Sequence, residues 1–419
     1  MRDGVPGSWQ RAATANIGRA SSGRDTIQRM PAPASGLATS ATRRGIAGAG
    51  TGARTQRART ARLIVPPVLV EVIRGGIVES RHRGHVVEVG ADGSVERALG
   101  DPGIDVLLRS CAKPFGLVAF VESGAADAYG VTPAELAVLA ASHSGEDLHV
   151  RTIQAVMRRA GVSQSLLACG TDGAPLDALT AVRLTRDGER PGPIRHMCSG
   201  HHASFLLMSK YADWSLDDYS QPDHPSQVAF RGAIARVFGV RPDSLRIAVD
   251  GCGVQTFAFP LVDVARAFAL LADPAGVAID PSRRALVPAL TRIRDAMISA
   301  PELVAGNRER LDTAVMKAAP GRLVAKAGME ALRGIALLPG SRGSGRPAAG
   351  LAVKIEDGDS AGRAGRAATV EALRQVGGLS DDAMRRLAPY HHPPAHDPRG
   401  TIVGESVPRF ELAPISELR

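Results

Sequence analysis

Gly84-His85-Val86-Val87-Glu88-Val89, the turn Ala91-Asp92-Gly93-Ser94 and the return run Val95 to Leu99 decide how this chain folds. Two apolar-rich runs joined across Asp-Gly form a β-hairpin, because the turn needs residues that tolerate positive φ. Ahead of the hairpin, Leu63 to Val72 and Ile77 to Glu79 read as two further strands separated by Gly75-Gly76, so the body opens with an antiparallel sheet. Gly100-Asp101-Pro102-Gly103 ends it. Strand patterns return only late in the chain: Arg322 to Lys326, Ile335 to Leu338 and Leu351 to Ile355. Between the two strand blocks the periodicity is helical, including Phe115 to Val121, Leu136 to Ala141, Pro225 to Phe238, Leu261 to Leu271 and Arg283 to Ser299. The one short strand in this block is Arg246 to Val249, and after the late strands a helix spans about 360–376 and a short one Asp381 to Leu387. Strands at both ends around a helical block predict an α+β, three-layer fold, with one mainly antiparallel sheet, helices and a helical insertion. A doubly wound nucleotide-binding fold is excluded, since strand and helix do not alternate and no Gly-x-Gly-x-x-Gly turn is present.

The hairpin is followed by Arg109-Ser110-Cys111-Ala112-Lys113-Pro114, a Ser-x-x-Lys motif at an expected helix start. A serine hydroxyl needs a base to act as a nucleophile, and a lysine three residues on along a helix lies on the same face, within reach of it. The same tetrad also suits a capping serine with a surface lysine. Lysine is scarce here, with five (Lys113, Lys210, Lys317, Lys326, Lys354) among 51 basic residues. Arginine cannot replace it as a base. Ser142-His143-Ser144-Gly145-Glu146, at the far end of a helix launched by the capping box Thr132-Pro133-Ala134-Glu135, is a second polar cluster breaking an apolar run.

The composition, 44% hydrophobic and 22% charged over 419 residues, supports an ordinary globular core. Cys111, Cys169, Cys198 and Cys252 are unevenly spaced in so long a chain, which argues for reduced thiols and a reducing, cytoplasmic setting. No apolar run reaches the roughly 18 residues of a membrane span, so no membrane partner is expected. Residues 1–62 hold eleven arginines against two acids, the whole of the chain's formal charge of +9. A nucleic-acid partner is therefore not expected: residues 63–419 form an electrically balanced catalytic domain behind a basic Ala/Gly/Arg-rich leader of disordered composition. The Gly/Ser/Arg stretch 341–350 lacks the Gly-Lys-Ser/Thr ending of a phosphate loop and reads as a flexible loop. The tail His391-His392-Pro393-Pro394-Ala395-His396 reads as an exposed loop, and Lys354 as a strand lysine facing solvent.

Seven motifs occur in one order: Arg109-Ser110-x-x-Lys113-Pro114, Val121 to Ala126, Ala141 to Glu146, Cys198-Ser199-Gly200 with His202, Asp250-Gly251-Cys252-Gly253, Arg310 to Thr313, and Lys326-Ala327-Gly328. Jointly they resemble the type II L-asparaginase family of the rhizobial kind over about residues 65–410. The resemblance implies a serine β-lactamase-like fold and an amidohydrolase that converts L-asparagine to L-aspartate and ammonia, as a homodimer. It implies Ser110 as nucleophile, Lys113 as its base, and Ser142 with Lys326 as a second Ser/Lys pair. Arg109, His202 and Asp250 fall at the substrate contacts, a cation for the carboxylate and an acid for the ammonium. The family's zinc site uses two cysteines and a lysine; Cys198 and Cys252 match, and His201 stands where the lysine would be. Two thiolates and an imidazole suit zinc, so Cys198, His201 and Cys252 are the expected ligands, for substrate positioning or stability. Two alternatives stay open: a glutaminase or β-lactamase-like hydrolase of the same fold class, and an inactive zinc-dependent binding module.

Overall fold

The computed structural model describes residues 65–277 and 281–415. The leader 1–62 and the first residues of the expected strand from Leu63 lie outside them. Eleven strands follow in order: β1 (Val68–Arg74), β2 (Ile77–Gly90), β3 (Val95–Leu99), β4 (Asp105–Leu107), β5 (Arg246–Val249), β6 (Gln255–Pro260), β7 (Leu323–Ala327), β8 (Leu332–Leu337), β9 (Ala349–Ile355), β10 (Pro394–His396) and β11 (Ile402–Pro408). Eight form one sheet in the order β10-β11-β1-β2-β9-β8-β7, with β3 also on β2, and every pairing in it is antiparallel. A separate three-stranded sheet runs β4-β6-β5.

The hairpin at Asp92-Gly93 forms as expected, pairing Val86 to Val89 of β2 with Val95 to Leu99 of β3. Upstream, the two expected strands flanking Arg81 to Arg83 are one continuous 14-residue β2. Its first half pairs with β1 and its second half with β9, so backbone pairing carries the strand through a polar stretch that side-chain pattern alone breaks. Gly75 and Gly76 both have positive φ (55° and 79°), the conformation that a tight β1–β2 connection requires.

Nine helices carry the argument: α1 (Lys113–Glu122), α2 (Pro133–Leu139), α3 (Asp147–Arg159), α4 (Ser199–Tyr211), α5 (Pro225–Phe238), α6 (Leu261–Ala272), α7 (Val287–Ser299), α8 (Leu311–Ala318) and α9 (Ala364–Gln375). The two sheet faces are each covered by one of them. A Cβ on Gly334 would meet the Phe268 ring at 1.9 Å and one on Gly350 the Ala265 carbonyl at 1.8 Å, so α6 lies directly on that face. Neighbouring residues point the other way along each strand: Arg333 donates to Thr369 of α9 at 3.4 Å. Helix, sheet and helix make the expected layered α+β arrangement. The fit at α6 depends on two glycines and on Phe268, whose burial is worth about 2 kcal/mol.

Four strands were not legible in the pattern. β4 and β6 build the small sheet that carries Thr256 beneath Arg109. β10 arises within the tail 391–396 that was expected to be an exposed loop, because it pairs with β11, which adds to the open edge of β1. Lys354 does not face solvent: its Nζ donates to the carbonyls of Glu330 and Ile355, both at 2.6 Å. Among the described residues no helix is long and apolar enough to cross a membrane.

Candidate active site

Ser110 lies on a single 3-10 turn, Arg109 to Ala112, and α1 begins only at Lys113. Arg109 is held at φ 47°, a left-handed conformation that costs a non-glycine residue about 1–2 kcal/mol. Surrounding contacts impose it: the Arg109 amide donates to Thr256 Oγ1 at 2.9 Å, and its guanidinium pairs with Asp250. Such strain in an over-determined turn is a mark of functional positions.

Across from this turn, β7 carries Lys326 as its last residue but one, and the Cys111 thiol meets the Lys326 carbonyl at 3.2 Å. A Cβ on Gly328 would stand 2.8 Å from the Leu108 carbonyl, so only glycine lets the strand end approach the turn. Asp312 of α8 fixes that end, accepting the Ala327 amide at 2.7 Å and Arg333 Nε at 2.8 Å. Ser142 enters from the loop after α2. Its amide bonds the Val304 carbonyl, and Arg310 donates to its carbonyl at 2.6 Å.

Ser142 Oγ lies between two lysines, 2.7 Å from Lys326 Nζ and 3.1 Å from Lys113 Nζ. Lys113 also donates to the Ala141 carbonyl at 2.8 Å and to Cys198 Sγ at 3.2 Å. Ser110 is not among its partners, so the direct hydrogen bond expected from i, i+3 spacing is absent: the motif straddles a 3-10 turn and a helix start, and the spacing rule holds only inside a helix. All four groups are buried, Lys326 completely. Burial first, and the nearby Lys113 charge second, push Lys326 down to about 7.

Cys198, Asp250 and Cys252 bring one donor atom each within 4.8 Å of one another. The Cys252 thiol, and then the Lys113 charge, hold Cys198 well below the ordinary thiol range against the opposing effect of burial, while the same contact with Cys198 pushes Cys252 up. His201 is not part of this group. Its ring packs edge-on against Phe205 and Phe230, with centroids at 4.6 and 5.3 Å, and its Nδ1 has no partner. The expected convergence of Cys198 and His201 fails because Cys198 is the N-cap, with ψ 1°, and does not share the helix's faces. Asp250 supplies the third donor instead. Two thiols and a carboxylate remain a fitting donor set for zinc.

His202 is fully buried, with Nδ1 2.7 Å from the Tyr219 hydroxyl and Nε2 unpartnered. Sequence reasoning missed Tyr219, which stands in no motif, and gave no role to Arg310. A cavity of about 1040 Å³ borders the site, lined in part by Ser144, Arg308, Arg310, Gly328 and Arg366. It is walled in part by Arg310, which holds the Ser142 carbonyl, and by Gly328 just past β7, whereas Ser110, Lys113, Ser142 and Lys326 do not line it.

A strained serine turn packed against the strand that carries Lys326, and a second serine between two buried lysines, suit a hydrolase that works without a histidine base. The family model of L-asparaginase II matches residues 70–408, and the chain belongs to that family. No curated protein matches the chain. Membership makes the protein asparaginase-like, an amidohydrolase whose substrate class is an amino-acid amide.

Proposed function

We propose that the protein hydrolyses L-asparagine to L-aspartate and ammonia through a serine acyl-enzyme, on a serine β-lactamase-like fold. The observation that carries this reading is Ser142 Oγ held between Lys326 Nζ and Lys113 Nζ, with Lys326 at about 7. Near neutral pH the Lys326 amine is then available as a proton acceptor, while Lys113 Nζ donates to the Ala141 carbonyl, Ser142 Oγ and Cys198 Sγ. Ser110, on its strained turn, attacks the side-chain amide carbon, and its proton enters the Lys113–Ser142–Lys326 relay. The C–N bond breaks as the nitrogen takes a proton from the relay and leaves as ammonia. Water attacks the ester, its proton returns through the same groups, and aspartate and free Ser110 are restored. Arg109 and Asp250, paired with each other here, separate to take the substrate carboxylate and ammonium.

One observation favours a second assignment within the same reaction. Ser142 is bonded by both lysines while Ser110 is bonded by neither, and in this second assignment Ser142 is the nucleophile and Ser110 its assistant. Ammonia release from asparagine, against glutamine and a chromogenic β-lactam, tests the reaction; Lys326-Ala327-Gly328 lacks the hydroxyl that β-lactam enzymes carry between lysine and glycine. Mass mapping of the acylated peptide separates the two serines.

We further propose that Cys198, Cys252 and Asp250 hold zinc. When bound, the ion supplies positive charge that orients the neighbouring carboxylate, and the acyl transfer itself stays with the serines and lysines.

A further inference from the structure

Tyr219 is fully buried 17 residues beyond His202, and its hydroxyl has two partners. The Ala168 amide donates to it at 2.8 Å, and His202 Nδ1 lies 2.7 Å away. An amide N–H can only donate, so the phenol oxygen accepts from Ala168 and its single proton is free to go to Nδ1. In the reverse arrangement, with Nδ1–H donating to the phenol, the phenol proton and the Nε2 lone pair would both be buried without partners. The first arrangement leaves only Nε2–H unpartnered, and each orphaned buried group is costly, so it prevails. The ring is clamped as well, edge-on to Tyr219 at 5.6 Å and to Phe205 at 6.4 Å. Tyr219 is tied down in turn by Ser226 Oγ, which donates to its carbonyl at 3.2 Å.

We propose that Tyr219, with the Ala168 amide, is a positioning residue that fixes His202 as the Nε2–H tautomer, so that His202 serves the amino-acid amide as a hydrogen-bond donor to a substrate oxygen and never as a base. This rests on the reading of His202 as a substrate contact. The Nδ1 lone pair is occupied by the tyrosine, and the one unsatisfied atom of the ring is a donor, which an oxygen of the substrate's carboxylate or amide satisfies and its ammonium does not.

The test compares isosteres in the full-length enzyme. Glutamine reproduces the Nε2–H position of histidine and asparagine the Nδ1 position, so His202→Gln keeps kcat/KM for asparagine within about tenfold, while His202→Asn loses about a hundredfold or more, since a donor to a charged acceptor is worth that much. Tyr219→Phe loses about tenfold. Nitrogen-15 histidine spectra, with His202 assigned by its loss in His202→Gln, show the Nε2–H tautomer in wild type and a mixture in Tyr219→Phe. A merely structural tyrosine would change melting and leave that tautomer signature alone. An Nδ1–H wild type, or His202→Asn outperforming His202→Gln, overturns the proposal. Wild-type enzyme that releases no ammonia from any amino-acid amide sinks the functional reading instead, and the spectra still decide the tautomer.

Discussion

Two clusters of buried charge lie in this protein and behave oppositely. Arg342, whose side chain is fully enclosed, meets Glu88 at 2.6 Å and Glu96 at 2.5 Å, and Glu88 also takes Arg97 at 2.5 Å. Burial pulls the Arg342 guanidinium down, but the two glutamates more than offset it and raise it. Lys113 and Lys326 are as deeply buried, yet their hydrogen-bond partners are hydroxyl, carbonyl and thiol groups, with no carboxylate within salt-bridge distance among the described residues. The first cluster pairs charge with countercharge and holds strands β2 and β3 to the loop before β9. In the second, burial without a paired carboxylate, and after it the like charge of Lys113, leaves a lysine near 7. A buried charge neutralised on the spot is a fastener, whereas one left uncompensated is a reagent.

The largest expected effects separate the clusters by activity. Ser110→Ala, Ser142→Ala and Lys326→Met should each lower kcat by at least about a thousandfold, and combining them should cost little more, because members of one catalytic unit are not additive. Their melting temperatures should hold or rise, since Lys326→Met removes an unpaired buried cation. Near-native turnover by Ser110→Ala with loss in Ser142→Ala would move the nucleophile to Ser142. Glu88→Ala should do the reverse. Removing one of the two carboxylates that Arg342 meets, and the partner of Arg97, costs about 3 kcal/mol in denaturant unfolding, with kcat/KM unchanged. Loss of activity without loss of stability there would erase the contrast.

The pH profile sharpens the same distinction. Lys326 falls from the ordinary lysine value of 10.5 to about 7 on folding, so activity that needs its neutral amine should rise as pH passes 7 and level off above it. Stability carries the matching sign. Below about 7 both states are protonated and burial of the charge costs most; between 7 and 10.5 the unfolded chain binds the extra proton, so stability climbs with pH. A rate profile flat from about pH 6 to 10 would remove Lys326 as the proton acceptor.

Smaller effects concern the sulfur pair and the leader. About one zinc per chain is expected in elemental analysis, lost in Cys198→Ser and Cys252→Ser, weakened in Asp250→Asn and retained in His201→Ala. Zinc lost only with His201→Ala would restore the histidine as ligand. The smallest effect is predicted for deletion of residues 1–62, which lie outside the family match at 70–408; kcat/KM should stay within about twofold.

The sequence by itself determined the layered α+β class, because the Asp92-Gly93 hairpin, the Thr132–Glu135 capping box and the apolar periods are local signals with local physical causes. It determined which residues to watch, since both serines, both lysines, Cys198, Cys252 and Asp250 stand in motifs. Only the tertiary structure decided how they meet. Ser142 receives both lysines although 29 and 184 residues separate it from them, and no spacing rule reaches across such distances. Asp250 joins the sulfur pair and His201 does not, because the cap at Cys198 breaks the helical phase. Strand β11 exists because β1 offers an open edge, and Tyr219 matters because its hydroxyl lands between the Ala168 amide and His202. Local chemistry is written in the order of residues, whereas long-range hydrogen bonds and buried charge depend on which surfaces the fold brings together.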